Sequence, residues 1–108
     1  MNFLLKIIRY FTYFLEVCSV LNIRTQNYGE ENSYKLGSCT NKQEKYGRYT
    51  NNFEKCCLPA GTYTLECIDS YGDGWHGGYI EIDGTKYCED FTEPRPYGYS
   101  KSVEVTFK

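Results

Sequence analysis

Residues 67–88 read CIDSYGDGWHGGYIEIDGTKYC and carry the most informative pattern in the chain. Four of the seven residues 72–78 are glycines, and glycine adopts the left-handed backbone conformations that tight, ordered loops require. Asp83-Gly84 follows, flanked by strand-like residues 79–82 and 85–88, and this pair is typical of a two-residue hairpin with a type I′ turn. A disulfide between Cys67 and Cys88 would close the loop and the hairpin into one unit.

The cysteine content indicates an extracellular protein. The chain has 108 residues, enough for one domain with a modest core. Its six cysteines predict disulfides formed in an oxidising compartment. A zinc site is disfavoured, because no cysteine pair has the Cys-x-x-Cys spacing and the chain has one histidine. The pairing is left open among Cys18, Cys39, Cys56, Cys57, Cys67 and Cys88.

Residues 1–19 are apolar but carry Lys6, Arg9 and Glu16. A secretory signal cleaved after Ser19 is the leading interpretation, followed by a domain over residues 20–108. An interfacial amphipathic helix and a misassigned start codon are the alternatives. The uninterrupted apolar run is too short for a stable membrane span. Cleavage would remove Cys18 and leave an odd cysteine, which predicts a free thiol or an intermolecular bridge.

The remaining pattern predicts strands. Twelve tyrosines and six phenylalanines favour β structure, and residues 62–68 and 102–107 alternate apolar with polar side chains. Further strands are expected at residues 20–25 and 33–36. Residues 40–55 are expected to form a long surface loop with one short strand near 48–50, ended by a turn over 56–61. The predicted fold is a disulfide-stapled antiparallel β-sandwich of jelly-roll or CUB-like type.

A recurrent signature supports this fold. Residues 61–65 read GTYTL, Cys67 follows, and residues 69–75 read DSYGDGW, with Tyr87-Cys88 after the hairpin. Over residues 28–91 the chain resembles an extracellular cysteine-rich β-sandwich module found in many secreted proteins. The resemblance implies the fold and the compartment, and it implies little about activity.

The glycine-rich loop fits part of a calcium-binding pattern. Asp69 and Asp73 occupy the first and fifth places of an Asp-x-Asp-x-Asp-Gly loop, and Glu81 lies one position after the place of the bidentate glutamate. Calcium is therefore the one cofactor considered, with Asp69, Asp73 and Glu81 as its ligands. The preferred alternative is that the two aspartates accept backbone hydrogen bonds and brace the loop, because two carboxylates hold a hard cation weakly.

The same loop carries side chains suited to a sugar ring. Aromatic rings on which the sugar would stack and a carboxylate beside them are supplied by Tyr71, Asp73, Trp75, His76 and Tyr79. The preferred interpretation of Trp75 is a plug in the end of the sandwich, since tryptophan buries a large apolar area.

Charge and composition narrow the function. The formal net charge is −2 without a basic cluster, so nucleic acid is not an expected partner. Enzymatic activity is not expected either, because the residues near the single histidine, His76, do not form an arrangement of a nucleophile, a base and a group that orients the base. The prediction is a secreted structural or interaction module that binds other extracellular proteins or copies of itself, self-assembling into a filament by strand addition. The alternative is a lectin-like, calcium-dependent carbohydrate-binding module.

Overall fold

A computed structural model describes residues 15–92 and 99–108. The strands are β1 Glu16–Arg24, β2 Asn32–Leu36, β3 Cys39–Thr40, β4 Asn51–Pro59, β5 Gly61–Asp69, β6 Tyr79–Ile82, β7 Thr85–Tyr87 and β8 Ser100–Phe107. They form two four-stranded antiparallel sheets, with strand orders β4-β1-β6-β7 and β3-β2-β5-β8. A 3₁₀ turn, Gly29–Glu31, connects the first two strands. The predicted disulfide-stapled β-sandwich is confirmed.

Alternation along each strand builds the core between the two sheets. Leu21 and Ile23 of β1 face inward from one sheet, and Leu65 of β5 with Val105 and Phe107 of β8 face them from the other. Successive side chains of a strand point to opposite faces, so these residues are buried while their neighbours contact solvent. The strands predicted at residues 62–68 and 102–107 are confirmed as β5 and β8.

The predicted hairpin is also confirmed. Asp83 and Gly84 both have positive φ, 51° and 85°, as a type I′ turn requires. The turn sets the register that pairs Ile82 with Thr85 and Glu81 with Lys86. It thereby carries the chain from β6 to β7.

Three disulfides cross-link the strands, and all six cysteines are paired. Two of them join the sheets: Cys39–Cys56 connects β3 with β4, and Cys67–Cys88 connects β5 with the segment after β7. The third, Cys18–Cys57, links the paired strands β1 and β4. Each is expected to stabilise the domain by about 2 to 4 kcal/mol. The predicted Cys67–Cys88 bridge is confirmed, and the pairing leaves no thiol for zinc.

The predicted domain boundary after Ser19 falls inside β1, where Ser19 is buried and pairs with Cys56. Cys18 is bonded to Cys57, so the chain as a whole has no odd cysteine. Residues 1–14 lie outside the described residues, and processing of that segment stays a prediction. Filament assembly also stays a prediction. Among the described residues, no helix has the length and apolar character needed to cross a membrane.

The predicted loop over residues 40–55 is wrong in its last part, because β4 runs from Asn51 to Pro59. The same strand replaces most of the turn predicted over 56–61. The usual pattern is inverted in β4: the charged Glu54 is 5% exposed and faces the core, whereas Phe53 is 69% exposed. An outward phenylalanine followed by a buried carboxylate breaks the expected alternation, so a search for alternating apolar residues misses this part of the strand.

Hydrogen bonds explain how Glu54 is accommodated in the core. The hydroxyl groups of Tyr34 and Tyr46 donate to its two carboxylate oxygens at 2.9 Å each. The backbone N–H of Lys42 donates to the same carboxylate at 3.1 Å. Three donors replace the water that the carboxylate loses on burial. The contacts also attach residues 42–46 to β4.

Candidate functional site

One end of the sandwich, here called the loop end, collects most of the predicted site residues. It lies where β5 ends at Asp69 and β1 ends at Arg24, and where β2, β4, β6 and β8 begin. The 3₁₀ turn, residues 46–50 and residues 70–78 form its loops. The antiparallel registers therefore bring together segments that are distant in the chain.

Asp69 braces the 70–78 loop. Its carboxylate is fully buried. Oδ2 accepts hydrogen bonds from the backbone N–H groups of Gly72, Asp73 and Gly74 at 3.0, 2.5 and 2.6 Å, and Oδ1 accepts one from Tyr71 at 3.2 Å. Positive φ at Gly72 and Gly74, 94° and 85°, turns these amides toward the carboxylate. The geometry confirms the predicted brace for Asp69, whereas no backbone N–H of the described residues donates to the Asp73 carboxylate, whose Oδ1 has no hydrogen-bond partner there.

Trp75 is the plug and not a sugar platform. Its side chain is fully buried, its indole N–H donates to the backbone oxygen of Ile68 at 2.9 Å, and its backbone N–H donates to that of Phe91 at 2.7 Å. A fully buried ring has no free face on which a ligand could stack. Trp75 is therefore removed from the predicted ligand-binding set.

Three carboxylates meet beneath the loop. Oxygen atoms of Glu31, Asp69 and Asp73 all lie within 4.8 Å of one another. Glu31 enters this carboxylate cluster because the 3₁₀ turn packs on the end of β5, where the N–H of Ser70 donates to the Glu31 backbone oxygen at 2.9 Å. Within the described residues, Glu31 Oε1 and Asp73 Oδ1 are buried without a hydrogen-bond partner.

Glu81 is not a member of the carboxylate cluster among the residues described. It lies on β6, where it pairs with Asn22 of β1 and Lys86 of β7. Ile80 and Ile82 on either side of it are buried, so Glu81 points away from the core. The prediction chose Glu81 as the third carboxylate from its spacing in the loop. In the structure the third carboxylate is that of Glu31, which strand pairing brings to the cluster.

Burial and mutual repulsion make this cluster electrostatically unfavourable. Burial raises the pKa of Glu31, and the charges of Asp69 and Asp73 raise it further. Burial also raises the pKa of Asp69, and a hydrogen bond with the carboxyl group of Asp73 adds to the rise, against the lowering effect of the backbone donors. A bound cation would relieve both effects.

Asn32 places a buried amide on the strand next to Asp69. It is the first residue of β2, it is 3% exposed, and it lies directly opposite Asp69 in the β2–β5 ladder. Paired residues of an antiparallel ladder project from the same face. In the part of the chain that the structure describes, neither Nδ2 nor Oδ1 of the Asn32 side chain has a hydrogen-bond partner. A buried amide without a partner is unusual and requires an explanation.

An aromatic surface lies beside the carboxylate cluster and is defined here as Tyr28, Arg48, Tyr49 and His76. The Tyr28 ring lies 5.3 Å from the His76 ring and 4.7 Å from the Arg48 guanidinium carbon. Tyr28 and Tyr49 are 40% and 57% exposed. His76 Nε2 lies 3.3 Å from Asp73 Oδ2, which joins the surface to the cluster. Of these four, the sequence predicted only His76.

The two other predicted aromatic residues do not join this surface through any contact found among the described residues. Tyr71 is 71% exposed at the 70–78 loop. Tyr79 begins β6 on the outer face of its sheet, with the Lys86 ammonium 4.5 Å above its ring. The sequence carried no local signal for Tyr28, Arg48 or Tyr49, because their proximity depends on long-range pairing.

No protein-family model, curated protein or solved structure matches this chain. The resemblance of the loop signature to secreted β-sandwich modules therefore stays a prediction. Function has to be argued from the site itself. The argument below uses the carboxylate cluster, the unpaired amide of Asn32 and the aromatic surface.

Proposed function

We propose that this protein is an extracellular interaction module whose loop end is stabilised by a bound calcium ion. The observation that carries the proposal is the carboxylate cluster of Glu31, Asp69 and Asp73, with the unpartnered Asn32 amide opposite Asp69. The partners are other extracellular proteins, copies of this chain, or carbohydrate. Three disulfides in a short chain support the extracellular assignment, because such bonds persist in oxidising compartments.

The donor chemistry favours calcium over other metals. The cluster offers carboxylate and amide oxygens, which are the ligands of hard cations. Calcium binds oxygen at about 2.3 to 2.6 Å, so two oxygens that are 4.8 Å apart can share one ion placed between them. Magnesium requires shorter and more regular contacts. Asp69 already binds four amides, so Glu31, Asp73 and Asn32 would supply most of the coordination.

The position of the cluster gives the ion a structural role. Glu31 belongs to the 3₁₀ turn that follows Tyr28, and Asp73 belongs to the loop that carries His76. An ion held by both acids would tie these two segments together. Calcium would thereby order the aromatic surface, which is the part of the loop end available to a partner.

Calcium is expected to raise the melting temperature of the folded, oxidised protein. Extracellular calcium modules bind with Kd values of about 10⁻⁴ to 10⁻³ M, and a hundredfold excess over Kd stabilises by about 2.7 kcal/mol. For a domain of this size that corresponds to a rise of roughly 10 °C or more. Calorimetric titration and thermal unfolding, each with calcium and with a chelator, measure the effect.

Matched variants locate the ion. Glu31→Gln and Asp73→Asn each remove one charge from the cluster and are expected to weaken calcium binding at least about tenfold. Glu81→Gln removes a carboxylate that lies outside the cluster and is expected to bind calcium as the unmodified protein does. Equal calcium affinity in all three variants, or no calcium-dependent rise in melting temperature, would contradict the proposal.

Calcium binding is expected to weaken as the pH falls toward the raised pKa values of Glu31 and Asp69. The pKa values of Glu31 and Asp69 are raised by burial, so protons compete with the ion above the ordinary carboxyl pKa of about 4. Without calcium, the free energy of unfolding has the opposite pH dependence. Carboxyl groups with a raised pKa in the folded state stabilise the fold at low pH, and this contribution is lost as the pH rises through the folded-state pKa. Melting curves with calcium and with chelator should converge at acid pH, and a constant separation would exclude this linkage.

A further inference from the structure

Backbone conformation singles out the aromatic surface. Among the described residues, five that are not glycine have positive φ: Tyr28, Tyr49, His76, Asp83 and Cys88. Asp83 serves the hairpin, but three of the other four bear aromatic or imidazole rings and lie together on the aromatic surface. Positive φ is unfavourable for bulky side chains. Such residues persist only where the surrounding structure holds them, and they cluster at functional sites.

Specific contacts hold the two tyrosines in this conformation. The N–H of Tyr49 donates to the Gln26 backbone oxygen at 3.1 Å, and its hydroxyl donates to the Asn27 side chain. Tyr28 precedes the 3₁₀ turn, and its backbone oxygen accepts a hydrogen bond from the N–H of Glu31 at 2.9 Å. The rings are therefore presented in fixed positions before any partner arrives, which lowers the entropic cost of binding.

The two loops that carry the rings are joined at the end of β1. The hydroxyl of Thr25 donates to the Gly47 backbone oxygen at 2.7 Å and accepts from the N–H of Thr50 at 3.0 Å. A Cβ atom at Gly29 would lie 2.0 Å from that Gly47 oxygen, so glycine is required for this approach. The contact places Arg48 beside Tyr28. It is a packing arrangement that local sequence does not reveal.

Polar groups surround the exposed rings. The guanidinium of Arg48 donates two hydrogen bonds to Glu30, at 3.1 and 2.7 Å, and lies 4.7 Å from the Tyr28 ring centre. The His76 ring centre lies 5.3 Å from that of Tyr28. Arg48 covers one face of the Tyr28 ring, and Tyr49, which is 57% exposed, is the more open of the two rings. An open aromatic face with fixed donors and acceptors nearby matches a pyranose, which has a C–H face and a rim of hydroxyl groups.

We infer that the aromatic surface binds a neutral polysaccharide, with sugar rings stacked on Tyr49 and on the face of Tyr28 opposite Arg48, and with hydroxyl groups bonded to Arg48, Glu30 and His76. This inference rests on the proposed function, because it names the partner of the same loop end. The guanidinium of Arg48 is already paired with Glu30 at 2.7 Å, which leaves it less able to bind the acidic groups of an anionic polysaccharide. The charged groups between the rings are unlike the apolar centre of a protein interface, which is depleted in charge.

The test measures depletion of the oxidised, full-length protein from solution by cellulose, chitin, xylan, mannan and insoluble β-1,3-glucan, in calcium-containing buffer. We expect retention by at least one of these probes. Tyr28→Asn and Tyr49→Asn are the informative variants, because asparagine tolerates positive φ and lacks the ring. Each is expected to weaken binding about tenfold or more while the melting temperature stays equal or rises.

Phe53→Ala is the matched control, because Phe53 is an exposed aromatic residue on the outer face of β4, away from the aromatic surface. It is expected to bind as the unmodified protein does. Retention by none of the probes, or equal retention of the tyrosine variants and the unmodified protein, would overturn the inference. Calorimetric calcium titration of the same samples separates the two proposals. Calcium binding without polysaccharide retention overturns only this inference, and retention without calcium binding overturns only the calcium site.

Discussion

Replacing Trp75 with alanine is expected to lower the free energy of unfolding by about 3 to 5 kcal/mol. The side chain is fully buried beneath the 70–78 loop, and its indole N–H is bonded to the Ile68 backbone oxygen. Alanine would leave a large cavity at the loop end and an unpaired carbonyl. The 70–78 loop would lose its packing support, so both proposed binding functions should weaken together with stability.

Chemical denaturation followed by far-ultraviolet circular dichroism measures this loss, since Trp75 is the single tryptophan and its fluorescence disappears with it. The free energy of unfolding of Trp75→Phe is expected to lie between those of the unmodified protein and Trp75→Ala, because phenylalanine fills part of the volume. Tyr71→Ala, at an exposed position of the same loop, is expected to change stability by no more than about 0.5 kcal/mol. A loss of less than about 1 kcal/mol for Trp75→Ala would disprove its role as a plug.

Replacing Asp69 with alanine is expected to lower the free energy of unfolding by about 3 kcal/mol or more. The change removes the acceptor of four backbone hydrogen bonds, those of Tyr71, Gly72, Asp73 and Gly74. Each buried donor left without an acceptor costs about 1 to 3 kcal/mol, although water can reach part of the opened loop. Relief of carboxylate repulsion in the cluster offsets a fraction of the loss.

The measurement combines denaturation with amide hydrogen exchange, which should accelerate at residues 71–74 in Asp69→Ala. Asp69→Asn keeps one acceptor oxygen and is expected to lose less stability. Both experiments are carried out in buffer with calcium and in buffer with a chelator. The brace predicts a large loss in chelator, whereas equal stability of Asp69→Ala and the unmodified protein in chelator would mean that Asp69 acts only through a metal ion.

Bracing and calcium binding, which the sequence presented as alternatives, are compatible in the structure. Asp69 holds the loop through backbone amides, and Glu31, Asp73 and Asn32 keep oxygens without hydrogen-bond partners among the described residues. The brace positions Asp73 and thereby shapes the cluster. Loss of the brace and loss of calcium are therefore expected to have separate signatures, in chelator and in calcium respectively.

Local patterns were sufficient for the parts of the fold that depend on neighbouring residues. Asp83-Gly84 predicted the type I′ hairpin because that turn needs two residues with positive φ. Alternation predicted β5 and β8, and the short separation of Cys67 and Cys88 across one loop and one hairpin predicted their disulfide. The same patterns missed most of β4, because the first of its inward residues is the charged Glu54 and its phenylalanine faces solvent.

Adjacent residues encode the disulfide-stapled β-sandwich and its braced glycine-rich loop, because turn geometry and strand alternation are local properties. The composition of the site depends on the tertiary structure. Glu31 and Asn32 reach Asp69 through the register of β2 and β5, and Arg48 reaches Tyr28 through the close approach of Gly29 to Gly47. Strand register and backbone packing depend on which distant segments pair, and this is the physical reason why loop spacing selected Glu81 where the fold supplies Glu31.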